Sequence, residues 1–232
     1  MDISVIIPAY NEENRLGETL ESVCTYLQAK PYQKEVLIIN DGSTDNTEIL
    51  IKGFCHKYPF VKLLNNSKNS GKAFSVNRGM LEANGELILF MDADGSTPIQ
   101  ELEKLKSAID DGYDIAIGSR RVLGANVIED QSLPRLFLGW VFRHIVSFIL
   151  PLNIIDTQNG FKLFKKEVAK IVFKKQRTFG WSFDVEILYI ATRLGYKIKE
   201  VPIVWHNDRE SKVKLLGKIK MLFEILKIRF FV

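Results

Sequence analysis

Residues 86–98 read ELILFMDADGSTP, an apolar run that stops at two aspartates, Asp92 and Asp94. Side chains alternate along an extended strand, so residues two apart point to the same side and these two carboxylates face one space. Two such charges repel each other unless a cation joins them or one of them takes up a proton. The alternative is a pair of solvated turn acids, with Asp94 and Gly95 forming the turn. The stretch predicts a buried strand whose carboxyl end holds a cation.

Around this stretch, short β-branched runs alternate with helical patterns. The predicted strands are ISVIIPA, EVLIIN, VKLLN, ELILFMD and YDIAIGSR. Helices are predicted between the first four of them, at about 12–29, 44–57 and 72–83. This alternation predicts one α/β domain built on a mostly parallel sheet with helices on both faces.

Composition narrows the class of protein. The chain has 232 residues, 46% of them hydrophobic, which suits one large core. A net charge of +4 is too weak to indicate a nucleic-acid partner. The two cysteines, Cys24 and Cys55, cannot form a disulfide framework. Neither lies beside a His or a second Cys at the spacing of metal ligands. The sequence has no basic leader and no long uncharged apolar run, so we expect neither a signal peptide nor a membrane span.

Charged residues recur where the predicted strands end. The first strand is followed by Glu12, the second by Asp41, the fourth by Asp92 and Asp94, and the fifth by Arg120. Taken singly, Asp41 fits a turn or helix cap, and Glu12 fits a first-turn acid. Because ligands bind where the carboxyl ends of parallel strands converge, their shared edge favours a site. Oxygen ligands suit Mg²⁺ or Mn²⁺, which complete their coordination with substrate phosphates. The pattern predicts a divalent metal that holds a diphosphate.

Five ordered blocks make about the first 120 residues resemble a family 2 inverting glycosyltransferase of the GT-A fold. The blocks are VIIPAYNEE, IINDGSTDNT, NSGKAFSVNRGM, FMDADGSTP and IGSR. In the second half, DTQNGFKLF (156–164), the segment 177–205 and RESKVK (209–214) resemble the dolichyl-phosphate β-glucosyltransferase branch, close to dolichyl-phosphate mannose synthases. The resemblance implies a GT-A domain over residues 1–210, and the charge and apolar spacing of residues 211–232 predict a basic amphipathic helix after it.

The resemblance also implies which residues bind the donor. The base and ribose of the nucleotide would contact Pro8, Ala9, Tyr10, Glu12, Asp41 and Lys72. The metal would be held by Asp92 and Asp94, and the donor diphosphate by Asp92, Ala93 and Asp94. A basic motif that covers the diphosphate matches Arg209 and Lys212. Ser96 stands where mannose synthases tend to have a metal-binding Gln, so the resemblance supplies no third protein ligand.

Two arginines match positions that bind the acceptor phosphate in the family, Arg120 and Arg135. A phosphate monoester is already ionised near neutral pH, so it can attack the donor sugar without a dedicated base. It needs positive charge to approach an anionic donor, and the guanidinium fork matches phosphate geometry. The alternative for each arginine is a solvated surface position.

The segment DTQNGFKLF has two interpretations. It can be a turn at Asn159 and Gly160 that enters an edge strand. By resemblance, Asp156, Gln158 and Asn159 instead lie under the donor sugar. Asp184 is likewise either an acid at a helix start or an active-site carboxylate near the sugar. The resemblance thus implies the catalytic set Asp92, Asp94, Arg120 and Asp184.

Together these features predict a metal-dependent inverting transferase. The expected reaction moves glucose from UDP-glucose onto a polyprenyl or dolichyl phosphate, with Mg²⁺ or Mn²⁺ as cofactor. The alternatives are mannose transfer from GDP-mannose to the same kind of lipid, transfer to a saccharide hydroxyl, and a nucleotide-sugar-binding module without catalysis.

The C-terminal run SKVKLLGKIKMLFEILKIRFFV is basic and periodic. Its apolar residues at helical spacing are Leu215, Ile219, Leu222, Leu226 and Phe230. This pattern is typical of a basic helix on an anionic bilayer, and it also fits a terminal helix packed on the core. The segment at about 134–150 predicts a second interface helix, since it has more apolar surface than one core-facing stripe requires, and most of it lies outside the residues that the structure describes. This helix and a lipid-phosphate acceptor favour the bilayer, so we expect peripheral attachment to the cytoplasmic face of a membrane.

Overall fold

The computed structural model describes residues 1–128, 146, 148–206 and 215–231. The strands are β1 (Ile3–Ala9), β2 (Lys34–Asn40), β3 (Val61–Asn65), β4 (Leu87–Met91), β5 (Ile115–Ser119), β6 (Asn126–Ile128), β7 (Phe161–Lys165), β8 (Ile198–Pro202) and β9 (Val204–His206). The α-helices are α1 (Leu16–Gln28), α2 (Thr47–Lys57), α3 (Lys72–Glu82), α4 (Leu102–Asp110), α5 (Lys166–Lys175), α6 (Phe183–Arg193) and α7 (Leu215–Phe231). A 3₁₀ turn at Ile99–Glu101 precedes α4.

Seven strands form the central sheet in the order β3-β2-β1-β4-β7-β5-β8, and β6 pairs with β9 in a second, two-stranded sheet. The pairings of β1 with β2 and β4, of β2 with β3, and of β5 with β8 are parallel. Of the strands that the structure describes in this sheet, β7 alone is antiparallel to its neighbours, β4 and β5. The predicted mostly parallel sheet is therefore confirmed, with one reversed strand inside it.

The edge-strand interpretation of the segment after Asn159 is wrong. Strand β7 lies between β4 and β5, where Phe161 and Leu163 join the core on one face of the sheet and Phe164 joins the core on the other. A strand whose apolar side chains are buried on both faces belongs in the middle of a sheet. This placement brings the turn before β7 against the carboxyl end of β4.

Each face of the sheet carries its own hydrophobic core. Leu20 of α1 and Leu105 of α4 pack in the core of one face, and Val76 of α3 and Val168 of α5 pack in the core of the other. A third cluster joins α6 to α7 and includes Val146, Leu150, Leu152, Val185, Tyr189, Ile225 and Ile228.

Among its described side chains, helix α7 packs on the core through residues outside the apolar stripe that we expect to face the bilayer. Met221, Ile225 and Ile228 are buried, whereas Leu226 and Phe230 of the predicted stripe are exposed. The apolar residues of this helix form more than one stripe, so one set can cover α6 while another faces outward.

The loops after β1 and β2 are joined side by side. The Thr44 N–H donates to Asn11 Oδ1 (2.8 Å), and the Glu12 N–H donates to Thr47 Oγ1 (2.8 Å). Asn11 adopts a left-handed φ of 53°, a conformation that Asn tolerates better than most residues. Helices α1 and α2 begin later than predicted because the residues before them form these loop contacts.

Candidate active site

The turn after β4 is held from three sides. The Asp92 N–H donates to the Gly160 carbonyl (3.0 Å), and Thr19 Oγ1 donates to the Ala93 carbonyl (2.9 Å). The Ser96 N–H donates to Asp94 Oδ1 (2.9 Å). A Cβ at residue 160 would overlap the Asp92 carboxylate, so any residue other than glycine there would displace that side chain. These contacts fix both aspartates at the carboxyl end of the strand.

Lys72, the first residue of α3, faces Asp92. Its Nζ lies 2.6 Å from Asp92 Oδ1, but outside the angular range of a hydrogen bond. Burial opposes the charge on Lys72, but the nearby Asp92 and Asp184 carboxylates outweigh burial and hold the pKa of Lys72 above its ordinary value. Asp92 Oδ1 is thus buried beside a cation and accepts no hydrogen bond from any described residue.

The two aspartates fit a divalent metal. Burial and then the neighbouring Asp92 charge raise the pKa of the Asp94 carboxyl, as expected for like charges with too little compensation. Within the described ranges, no group of three or more His, Cys, Asp and Glu side chains gathers around a common point. Two carboxylates suit a magnesium-like ion that keeps its other positions for water and substrate phosphates.

Asp41 lies at the same edge of the sheet, but both of its oxygens accept bonds within the protein. Oδ1 accepts from Asn66 Nδ2 (2.7 Å) and the Ser70 N–H (2.9 Å), and Oδ2 accepts from the Gly71 N–H (2.7 Å). Asp41 therefore shapes the loop that leads into α3 and Lys72. Its predicted contact with the nucleotide stays a prediction.

The other predicted nucleotide residues surround the end of β1. Pro8 and Ala9 are buried in the strand, and Tyr10 is exposed at its end. Glu12 follows, where its Oε2 accepts a 2.8 Å hydrogen bond from Arg15 Nε. These residues lie beside the loop after β2, and their predicted contact with the nucleotide stays a prediction.

Arg120 directly follows β5, at the edge of the site, and forms an ion pair with Asp156. The Nε of Arg120 donates to Asp156 Oδ2 (2.8 Å), and its Nη2 donates to Oδ1 (2.7 Å). Its guanidinium also lies 5.0 Å from the Trp205 ring. Burial disfavours the Asp156 charge, but Arg120 outweighs burial and holds the pKa of Asp156 below its usual range. Asp156 binds one edge of the guanidinium group, through Nε and Nη2. The third nitrogen, Nη1, has no acceptor among the residues described.

Asp184 is buried in the first turn of α6 and forms an ion pair with Lys162 of β7. The Lys162 side chain has no solvent exposure, and its Nζ also donates to the Asn159 carbonyl (2.5 Å). Sequence reasoning missed Lys162, because a lysine inside FKLFK resembles the outward-facing residue of an edge strand. The signal available was that Lys162 lies two residues before Phe164 and so shares its face of the strand.

Asn159 itself is 2% exposed, and neither Oδ1 nor Nδ2 has a hydrogen-bond partner in the described part of the chain. Buried amides are normally bonded, so an unpaired one next to Gly160 and Asp92 indicates a place for a polar ligand or water. Gln158 is exposed, and its Nε2 lies 3.7 Å from Met221 Sδ of α7. Arg135, Arg209 and Lys212, predicted to bind phosphates, lie outside the described residues.

Solved structures test the predicted fold. Glucosyl-3-phosphoglycerate synthase from Mycobacterium tuberculosis in complex with phosphoglyceric acid matches with a TM-score of 0.75, covering 100% of this chain and 81% of that chain at 16% identity. A structure of that synthase with Mn²⁺, UDP-Glc and phosphoglyceric acid also matches with a TM-score of 0.75 at 16% identity, covering 100% of this chain and 80% of that chain. The predicted GT-A fold is confirmed.

The chain belongs to glycosyl transferase family 2, whose model matches residues 4–173. "Dolichyl-phosphate beta-glucosyltransferase ALG5C" of Trichomonas vaginalis is 37% identical over 96% of this chain and 69% of its own. The human and Saccharomyces cerevisiae proteins named dolichyl-phosphate beta-glucosyltransferase are 35% and 36% identical, each over 98% of this chain and 74% of their own. The resemblance to this branch of glycosyltransferases is confirmed.

Proposed function

We propose that this enzyme transfers glucose from UDP-glucose to dolichyl phosphate or a similar polyprenyl phosphate, with inversion at the sugar. The observation that carries the proposal is the pair Asp92 and Asp94, held at a strand end with a buried oxygen that lacks a hydrogen bond. The proteins named dolichyl-phosphate beta-glucosyltransferase match nearly the whole chain, which supports the sugar and the acceptor. The synthase structure that contains UDP-Glc and Mn²⁺ supports the donor and the metal.

Asp92 and Asp94 would hold Mg²⁺ or Mn²⁺, and that ion would neutralise the charge that develops on the departing diphosphate. Lys72 lies 2.6 Å from Asp92, so its ammonium is available to the same diphosphate. In this proposal Pro8, Ala9, Tyr10, Glu12 and Asp41 border the nucleotide. Arg209 and Lys212, outside the described residues, are proposed to cover the diphosphate.

The acceptor phosphate would approach from the Arg120 side. Asp156 fixes the Arg120 guanidinium through two hydrogen bonds and leaves the Nη1 edge toward an incoming phosphate. A phosphate oxygen then forms a bond to the anomeric carbon while the bond from that carbon to the diphosphate breaks, which inverts the centre. The nucleophile is already an anion, so no base has to remove a proton. Arg135 is proposed as a second phosphate ligand.

The sugar would lie between the metal pair and Asp184. Asn159 has a buried amide with one free acceptor and one free donor group, a combination that can bind neighbouring hydroxyls. Gln158 and Asp184 border the same region, so we assign them to the sugar as well.

We further propose that the enzyme binds the cytoplasmic face of a membrane through α7. Phe223, Leu226 and Phe230 are 64%, 44% and 80% exposed, and Lys227 and Arg229 beside them are exposed too. Aromatic and apolar side chains next to basic ones suit the interface of an anionic bilayer. Among the described residues, no helix has the length and hydropathy needed to cross a bilayer.

Flotation with anionic liposomes at low salt tests the membrane proposal. The wild-type chain is expected to float with the vesicles, and the variant Phe223→Glu/Phe230→Glu is expected to stay behind. Ile49→Glu is the matched control, since Ile49 is 70% exposed on α2, away from α7. A wild-type chain that does not float would contradict the proposal.

Transfer of radiolabelled sugar into organic-extractable lipid tests the reaction. With dolichyl phosphate and Mn²⁺, label from UDP-glucose is expected in the lipid fraction and label from GDP-mannose is not. Preferential transfer from GDP-mannose would make the enzyme a mannosyltransferase. Label that reaches only a saccharide would contradict the lipid acceptor. Binding of UDP without any turnover would identify the protein as a nucleotide-sugar-binding module without catalysis.

A further inference from the structure

Lys162 is a buried cation in the middle of the central sheet. It lies on β7 opposite Phe90 of β4 and Ile117 of β5, and its side chain has no solvent exposure. Moving a charge away from water is costly, and an apolar pair of similar size often gives equal or greater stability. Stability alone therefore does not explain a lysine at this position.

The contacts of Lys162 connect two sides of the site. Its Nζ pairs with the Asp184 carboxylate of α6 and donates to the Asn159 carbonyl (2.5 Å). The next residue along the chain, Gly160, packs against Asp92 and accepts its N–H (3.0 Å). One ammonium thus fixes the distance between Asp184 and the turn that supports Asp92.

Lys72 contacts the same aromatic ring as Lys162. The Nζ atoms of Lys72 and Lys162 lie 5.3 Å and 5.6 Å from the centre of the Phe90 ring, within the range of cation–π attraction. Both Asp92 and Asp184 also act on the charge of Lys72. Each lysine near the Phe90 ring is thus paired with an aspartate of the site, Lys72 with Asp92 and Lys162 with Asp184.

A second lysine on the same strand serves as a comparison. Lys165 pairs with Asp114 at 3.0 Å, but at the end of β7 that lies far from Asp92, and both side chains are partly exposed. That pair joins two segments at the surface. Lys162 instead contacts only groups that border the site.

We propose that Lys162 is a positioning residue for sugar transfer, which acts by holding Asp184 and the turn at Asn159 in register with Asp92. This inference rests on the proposed function. Misplacement of such groups by about 1 Å lowers turnover by about 100-fold. Because Lys162 acts through Asp184, the two residues are expected to behave as one unit in kinetics.

The test is a double-mutant cycle of Lys162→Met, Asp184→Asn and both together, with Lys165→Met/Asp114→Asn as the matched control. Each single variant is expected to lower kcat for glucose transfer by about 100-fold. The kcat of the double variant should fall no further, and the Kd for UDP should change less than about threefold in all three variants. The control pair should keep kcat within about twofold.

A folded Lys162→Met protein with wild-type kcat would overturn the proposal, and so would losses that multiply in the double variant. Should Lys162→Met fail to fold by circular dichroism, the double variant carries the test, because it leaves no unpaired buried charge. Its kcat is then expected at the level of Asp184→Asn, and either a wild-type or a still lower kcat overturns the proposal. A wild-type chain that transfers no glucose contradicts the proposed function instead.

Discussion

A buried carboxylate at one end of the central sheet is fully hydrogen-bonded, whereas buried polar atoms at the other end lack hydrogen bonds within the part of the chain that the structure describes. At the amino end of β2, the Glu35 carboxylate is fully buried and accepts from Ser4 Oγ (2.7 Å), Lys62 Nζ (2.9 Å) and the Asn84 N–H (2.8 Å). At the carboxyl end of β4, one oxygen of Asp92 and both polar atoms of the Asn159 side chain are buried without a hydrogen bond from the described residues.

This difference separates groups that stabilise the fold from groups kept for a ligand. A buried polar atom without a partner costs about 1 to 3 kcal/mol, whereas a bonded one stabilises. Burial disfavours the Glu35 charge, but Lys62, Ser4 and Asn84 outweigh burial and hold the pKa of Glu35 below its usual range. The cost at the other end is expected to be offset when metal and sugar bind.

Substitution of Asp92 should have the largest effect on activity. We expect Asp92→Asn to lower kcat for glucose transfer by at least about 100-fold, because the diphosphate loses its metal-borne charge stabilisation. The loss in its free energy of unfolding should be smaller than that of Glu35→Ala, because the lost ion pair with Lys72 is offset in part by relief of the repulsion between Asp92 and Asp94. Lipid-labelling kinetics and urea denaturation measure the two quantities. Full metal-dependent activity in this variant would exclude Asp92 as a ligand.

Substitution of Glu35 should lower the stability of the protein and leave its activity almost unchanged. Glu35→Ala removes one acceptor from three donors, and we expect a loss of about 2 to 3 kcal/mol in the free energy of unfolding. The kcat of the folded variant should change less than about twofold, because Glu35 lies at the opposite end of the sheet. Glu35→Gln, which keeps the shape, serves as the control for packing. A kinetic loss comparable to that of Asp92→Asn would break the distinction between the two ends.

The Glu35 pair also predicts how stability depends on pH. The folded-state pKa of Glu35 is lowered, so its contribution is present above the ordinary pKa of 4.5 and is lost as pH falls through the folded value. Urea midpoints measured from pH 7 downward should therefore fall more steeply for wild type than for Glu35→Gln. Parallel curves for the two proteins would show that Glu35 contributes nothing to this linkage.

Substitution of Asn159 should give a smaller and distinctive result. We expect Asn159→Ala to weaken binding of UDP-glucose by about 10-fold, as one or two hydrogen bonds to sugar hydroxyls are lost, while the Kd for UDP is unchanged. The melting temperature without ligand should not fall, because the amide has no partner to lose. Calorimetry and thermal unfolding check both. Asn77→Ala is the control: its Nδ2 donates to the Phe173 carbonyl (2.7 Å), so it should lose stability and keep sugar binding. A stability loss in Asn159→Ala would indicate a structural role.

Most of the sheet could be predicted from periodicity, but β7 could not. Parallel strands joined by helices leave a regular pattern, whereas a reversed strand in the centre of a sheet has no distinct local signature. The pairing of β7 with β4 depends on contacts across some seventy residues of sequence. Helix α7 shows a related limit, since its residues form two apolar stripes and the sequence does not say which one faces α6.

The carboxylates of the site could be predicted because strand ends converge at one edge, which placed Asp41, Asp92 and Asp94 there. Their partners could not be predicted. Asp41 accepts hydrogen bonds from the loop before α3. Arg120 is paired with Asp156, and Asp184 forms an ion pair with a lysine buried in β7. These pairs join residues far apart in sequence, so spacing and composition carry no signal for them.

Mn²⁺ binding by Asp92→Asn tests the proposed metal site most directly. The free Mn²⁺ signal in electron paramagnetic resonance would be titrated with wild type, Asp92→Asn and Glu35→Gln, each with UDP present. We expect wild type and Glu35→Gln to bind Mn²⁺ equally well, and Asp92→Asn to bind it at least about 10-fold more weakly. Wild-type Mn²⁺ affinity in Asp92→Asn would contradict the assignment of the Asp92 carboxylate to a metal.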